Sequence, residues 1–225
     1  MRTGVGGRCM SVTSGELLLE TAIRALRPAG ILVGWRRITA GDERALHPAE
    51  RPAFSGSVTS VRRASGAARI VARQLLAQLG HADWPLTKMA SGAPTWPAGI
   101  VGSLSHDSHL AVAAVAAQSA FCALGIDVEP AEALPPDLLD LVATPRERAA
   151  LAHDPYGGRL LFAAKEAVYK AVFPLDGTFL EHHDVEVDLL HQRAEVCNGR
   201  RVDLRVCTTG HLLVLAFMRS SDEAL

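Results

Sequence analysis

No cysteine in this chain has another within metal-ligand or redox spacing. The four, Cys9, Cys122, Cys197 and Cys207, stand far apart with no C-x-x-C pair. That argues against a zinc site or redox motif and for a reduced setting. There is no excess of charge of either sign: 23 Lys and Arg face 24 Asp and Glu, a formal net charge of −1. Such a chain has no overall field to attract nucleic acid or an anionic membrane, so any anion site must be a local cluster. No apolar run approaches the roughly 20 residues that span a bilayer. Residues 1–15 carry Arg2 and Arg8 without a following apolar run, which makes a poor signal peptide. These absences predict a soluble, cytoplasmic protein with neither nucleic acid nor membrane as partner. What is present is ordinary globular usage, 48% hydrophobic and 21% charged over 225 residues. That suffices for one large domain or two packed subdomains and excludes a wholly disordered chain.

Along the chain, residues 16–26 read as a short helix ended by Pro28 and Gly30, and 31–35 as a strand. Residues 41–56, with Pro48, Pro52 and two glycines, read as loop. The spacing of Ala68, Val71, Leu75 and Leu79 predicts a helix over 62–79 with Gly80 as its C-cap. Residues 92–102 are turn-rich. Strands are predicted over 110–116 and 124–128, and Pro135-Pro136 marks a connection. A helix over 145–152 follows, with a capping box of Thr144 and Glu147, then a second long helix over 160–173, stopped by Pro174. Runs at 185–190, 202–206 and 212–217 predict three strands of an antiparallel meander. The layout is α+β, each half giving one long helix and about three strands, with a join near Gly125 (halves 1–124 and 125–225).

Three segments carry chemistry. In Gly125-Ile126-Asp127-Val128-Glu129-Pro130, strand alternation puts Asp127 and Glu129 on one face. Two adjacent carboxylates disfavour joint ionisation unless a cation sits between them, and a hard divalent cation suits oxygen ligands. An isolated D-x-E is more often a solvated strand end, but the apolar run before this one brings a buried strand to a sheet edge or cleft. In the helix around Phe162, Leu161, Ala164, Val168 and Val172 form the inward stripe, while Glu166 and Lys170 lie one turn apart away from it. On their own these two make an exposed ion pair worth about 0.3 kcal/mol. In Gly102-Ser103-Leu104-Ser105-His106-Asp107, a Ser-His turn offers a hydroxyl, an imidazole and backbone N–H groups to phosphate oxygens. No G-x-S-x-G elbow supports a serine nucleophile there.

In this order, the three segments resemble the hallmark motifs of the phosphopantetheinyl transferases of the surfactin- and enterobactin-synthesis type. Trp96-Pro97 and the stretch FLEHHDVEV at 179–187 are similar to the enterobactin-type branch. The resemblance runs from about residue 62 to 187. It implies a pseudo-twofold monomer of two α+β halves, each a small antiparallel sheet with a long helix. Coenzyme A and Mg²⁺, for which Mn²⁺ can substitute, would lie in the cleft between them, and apo acyl or peptidyl carrier proteins would be the partners. Position by position, it implies Asp127, Glu129 and Glu166 as metal carboxylates, and Ser105 and His106 on the coenzyme A phosphates. Lys165 and Lys170 would lie by the pyrophosphate, with Lys170 nearest the charge that develops and Glu166 as base. Phe162 stands where many relatives carry tryptophan, and Ala93 where relatives often place a basic residue.

Arg62, Arg69 and Arg73, at i, i+7 and i+11, fall in one helical sector roughly opposite the apolar stripe. Arg62 and Arg69 are therefore expected to face away from the core and meet the 3′-phosphate of coenzyme A, with Arg73 in a solvated face or an ion pair. Two other readings fit the carboxylates. One is a phosphoesterase, for which His182-His183-Asp184 would have to supply ligands; the other is a binding module without turnover.

Overall fold

The computed structural model describes residues 14–151 and 154–220. The N-terminal segment with Cys9, Arg2 and Arg8, and Ala152 of the expected 145–152 helix, lie outside the described residues. The helices are α1 (Ser14–Leu26), α2 (Thr59–Gln78), α3 (Pro136–Val142), α4 (Pro145–Ala150) and α5 (Gly157–Asp176). The strands are β1 (Ile31–Arg37), β2 (Ile100–His106), β3 (Leu110–Ala117), β4 (Phe121–Pro130), β5 (Val185–Asp188), β6 (Arg193–Val196), β7 (Arg201–Thr209) and β8 (His211–Arg219). They form two antiparallel sheets, of order β1-β3-β2 and β4-β8-β7-β6-β5. The fold is α+β, with two similar halves.

Strand alternation stacks four layers. On β3, Ala113 and Val115 meet Val71, Leu75 and Leu76 of α2 on one face. On its other face, Val112 and Ala114 meet Ile126 and Val128 of β4 and Leu213 and Leu215 of β8. The other face of β8, with Leu212, Val214 and Ala216, packs under Leu161, Ala164, Val168 and Val172 of α5. The order is α2, first sheet, second sheet, α5, and burial on both faces explains why β3 and β8 are almost wholly apolar.

The two sheets meet at the free edges of β2 and β4, joined by side chains rather than a backbone ladder. The Ile126 amide donates to Ser103 Oγ at 3.0 Å, and Ser105 Oγ donates to Asp127 at 2.7 Å. The 102–106 segment is thus strand and not the expected turn; its serines take up the polar groups of the neighbouring edge. Across the same seam, His211 Nδ1 and Asp107 Oδ2 are bonded at 2.8 Å.

Other differences have local causes. Residues 41–56 contain two short 3₁₀ turns, Asp42–Ala45 and Arg51–Phe54, and lie over α2 so closely that a Cβ on Gly66 would stand 2.0 Å from the Asp42 carbonyl oxygen. Pro136 starts α3 at a position where proline's missing N–H costs nothing, so the connection expected there is a helix. Pro174 does not stop α5. It sits in the last turn, and Gly177, at φ 73°, closes the helix by donating to the Phe173 carbonyl at 2.8 Å. The tail holds four strands where three were expected, because β6 is only Arg-Ala-Glu-Val, and β5 ends at Asp188. The chain changes sheet in the turn after Ala117, ahead of Gly125, which lies mid-strand in β4.

Burial opposes ionisation of Asp107, but the bonds from His211 and from the His109 and Leu110 amides outweigh it, and the carboxyl sits below its ordinary value. A carboxylate lowered on folding adds stability above its unfolded pKa and loses it as pH falls through the folded one. Asp107→Asn should therefore lower the unfolding midpoint at neutral pH, with the deficit shrinking below about pH 4. Denaturant melts of both proteins across pH read this directly; a deficit independent of pH would assign the loss to packing.

Candidate active site

The β4 face carrying Gly125, Asp127 and Glu129 lies under α5. Gly125 is obligatory, since a Cβ there would stand 1.9 Å from the Ala167 carbonyl oxygen. This approach lets Lys170 reach Asp127, with Nζ–Oδ1 at 2.5 Å, while Lys170 also donates to Ser105 Oγ at 3.1 Å. Ser105, Asp127 and Lys170, drawn from β2, β4 and α5, thus form one cluster at the seam between the sheets. Asp127 is buried, and its second oxygen, Oδ2, has no hydrogen-bond partner among the described residues.

Glu129 pairs with Arg159 at 3.1 Å. Burial first, and then the charge of Asp127, raise its pKa above the ordinary value. Each carboxylate has one cationic partner, Lys170 on Asp127 and Arg159 on Glu129. Yet the orphaned Oδ2 of Asp127, beside a Glu129 whose ionisation burial and that neighbour disfavour, fits a hard cation. The third expected ligand does not join them. Glu166 is directed to His182, with Oε1 at 3.8 Å from Nε2. It lines a cleft of about 510 Å³ shared with Tyr169, Phe179 and His182 but with neither Asp127 nor Glu129. Among the described residues no three His, Cys, Asp or Glu side chains converge to hold a metal.

His106 ends β2 and lines a cavity of about 320 Å³ with Ser60 and Arg63 at the start of α2. Loss of hydration, reinforced by the charge of Lys170, lowers its pKa. Arg62 donates to the Ser57 carbonyl at 2.5 Å and to Thr59 Oγ1 at 3.2 Å while staying partly exposed.

Two expected ligand residues are placed otherwise. Arg69 is buried: its guanidinium donates to the Leu86 and Ser65 carbonyls and stands over the Phe54 ring, with Glu50 at 3.7 Å. The helical arithmetic gave its direction correctly, but residues 41–56 cover that face. Arg73 makes an ion pair with the same Glu50 at 2.8 Å. Lys165 points away from the cluster. Its ammonium donates to Glu147 Oε2 and to the Val142 and His182 carbonyls, each at 2.8 Å, which uses all three protons. Burial lowers its pKa. Glu147, the capping-box residue, accepts also from the Thr144 and Val187 amides, so the pair ties α4, α5 and β5 together.

Sequence reasoning missed Arg63, Arg159 and the approach of His182 to Glu166. Arg159 was within reach, because Arg159, Glu166 and Lys170 stand at i, i+7 and i+11, the same arithmetic that grouped the α2 arginines.

Residues 49–116 match the family model described as the 4′-phosphopantetheinyl transferase N-terminal domain, and residues 123–212 that of the 4′-phosphopantetheinyl transferase superfamily. The chain belongs to this superfamily, whose two models cover the two sides of the Ser105–Asp127–Lys170 cluster. It is 43% identical over 148 residues to 4′-phosphopantetheinyl transferase Npt of Nocardia iowensis, covering 63% of this chain and 65% of the relative. With 4′-phosphopantetheinyl transferase PptT of Mycobacterium tuberculosis it shares 39% over 144 residues, 62% and 63% of the two chains. A shorter match, 37% over 84 residues, covers 35% of this chain and 34% of enterobactin synthase component D of Salmonella typhimurium. The matched region spans a little under two thirds of Npt and PptT.

If Lys165 is structural, Lys165→Met should cost about 3–5 kcal/mol of folding stability by leaving Glu147 charged and buried. Denaturant unfolding measures the loss, and kinetic constants of the folded fraction should stay near those of the parent. Unchanged stability with a raised KM for coenzyme A would return Lys165 to the ligand set.

Proposed function

We propose that this chain transfers the 4′-phosphopantetheine arm of coenzyme A to a serine of an apo acyl or peptidyl carrier protein, releasing adenosine 3′,5′-bisphosphate. The observation that carries the reading is the Ser105–Asp127–Lys170 cluster, set at the seam between two halves that each match a family model. The relatives named as 4′-phosphopantetheinyl transferases support it.

Phosphoryl transfer depends on positioning and on neutralising charge. In this reading Asp127 and Glu129 would hold Mg²⁺ or Mn²⁺, which would supply charge neutralisation for the pyrophosphate. Lys170 shifts from Asp127 to the bridging oxygen, where negative charge grows as the bond breaks. Ser105 and His106 face the phosphates; Arg62, with Arg63 beside it, serves the 3′-phosphate from the start of α2, where the helix dipole assists. Glu166 takes the serine proton. Arg69 and Lys165 have no part in binding. The protein works as a monomer in the cytoplasm; no helix among the described residues is long and apolar enough to cross a membrane.

An apo-carrier protein mixed with this chain, coenzyme A and Mg²⁺ should gain the mass of one phosphopantetheine, and EDTA should abolish the gain. No gain across fatty-acid, polyketide and peptide carriers with folded enzyme would overturn the activity. Consumption of coenzyme A without a carrier would mark a phosphoesterase. Lys170→Ala should lower kcat by about 10²–10³ with little change in the KM for coenzyme A, as expected of a contact made in the transition state. A raised KM at unchanged kcat would contradict that role.

A further inference from the structure

The cleft beside Glu166 contains a group that the chemistry above leaves unused. His182 begins a 3₁₀ turn, His182–Asp184, whose ends are tied by reciprocal bonds between Glu181 and Asp184. Its carbonyl accepts from Lys165 at 2.8 Å, and its ring stacks on Phe162 with centroids 5.7 Å apart and planes 18° apart. Backbone and ring are held from separate sides, yet Nε2 is shut off from solvent and has no hydrogen-bond partner among the described residues. Leaving a buried polar atom unmet is unfavourable, and an exception of this kind in a packed site asks for a cause.

The cause lies 3.8 Å away, at Glu166 Oε1. That is about 1 Å longer than a hydrogen bond. The Glu166 side chain is one-third exposed (33%), so a small rotation closes the gap. Contacts of catalytic groups are commonly long without substrate and tighten when the site fills.

We propose that His182 is the positioning residue for Glu166. It donates Nε2–H to Oε1 and leaves Oε2 directed at the carrier serine, the arrangement in which a base is itself oriented by a third group. This rests on the reading of Glu166 as the base. In the transfer, Oε2 takes the serine hydroxyl proton and the serine oxygen bonds to the β-phosphorus. The bond from that phosphorus to the bridging oxygen breaks, and its electron pair leaves on adenosine 3′,5′-bisphosphate. His182 keeps its proton throughout. Phe162, by stacking on the ring, sets its plane.

The test compares His182→Phe, which keeps a ring against Phe162 without a donor, with His182→Gln, which restores an N–H near the Nε2 position. His182→Phe should melt close to the parent, bind coenzyme A with a KM within about twofold, and lose about tenfold or more in kcat. His182→Gln should recover most of that loss, and in a Glu166→Gln background His182→Phe should cost nothing further. An unchanged kcat in His182→Phe, a parallel rise in KM that Gln does not relieve, or full additivity with Glu166→Gln overturns the proposal. If His182→Phe does not fold, His182→Met against His182→Gln gives the same comparison. A parent that modifies no carrier overturns the activity itself, a result distinct from an active parent with an equally active variant.

Discussion

Helix α5 lies on β4 so closely that the carbonyl oxygen of Ala167 occupies the place where a side chain at residue 125 would stand. From this contact the depth and partners of the site follow. It brings the 125, 127 and 129 face of β4 under the helix, with Ile126 and Val128 in the core between the sheets. Residue 170, just beyond the contact, is then near enough for an ammonium to meet Asp127 at 2.5 Å. A carboxylate as buried as Asp127 requires partners, and the seam provides two of them, Ser105 and Lys170, on one oxygen only.

Two buried charge clusters elsewhere are closely matched. Glu147 and Lys165 use their bonding capacity on each other and on four backbone groups, and Glu50 is met by Arg73 and two backbone amides. Among the described residues, incomplete matching gathers at the seam and its flank, at Asp127 Oδ2, Glu129 with its raised pKa, His182 Nε2 and Arg159 Nε, with Arg36 Nε of β1 standing apart. A matched buried pair stabilises a packing arrangement, whereas an unmatched group is available to something that arrives from outside. That contrast separates Lys165 from Lys170, although they stand only five positions apart on one helix.

Whatever repeats at short range was legible in the sequence. The stripes of α2 and α5 and the shared face of Asp127 and Glu129 follow from periods of 3.6 and 2, and the Thr144–Glu147 capping box from a fixed spacing of three. The family was legible from three motifs in order, each weak alone. What escaped depends on partners distant in the chain. Ser103 and Ser105 lie in a strand because their backbone pairs with β3, which leaves their hydroxyls to the β4 edge. Arg69 has the helical angle of a surface residue, but residues 41–56 return to cover it. Lys165 is next to Glu166 in sequence, and nothing local reveals that Glu147 holds its ammonium.

Glu50 has no solvent exposure, and its carboxylate accepts from the His47 and Leu86 amides as well as from Arg73. His47 and Leu86 lie in stretches without regular secondary structure, on either side of α2. By shape these stretches are loops; by energetics they belong to the core. Local fraying cannot release either amide without stranding a buried carboxylate between two arginines. Their exchange with solvent deuterium is therefore tied to opening of the whole α2 layer, at rates typical of the sheet interior and not of surface connections.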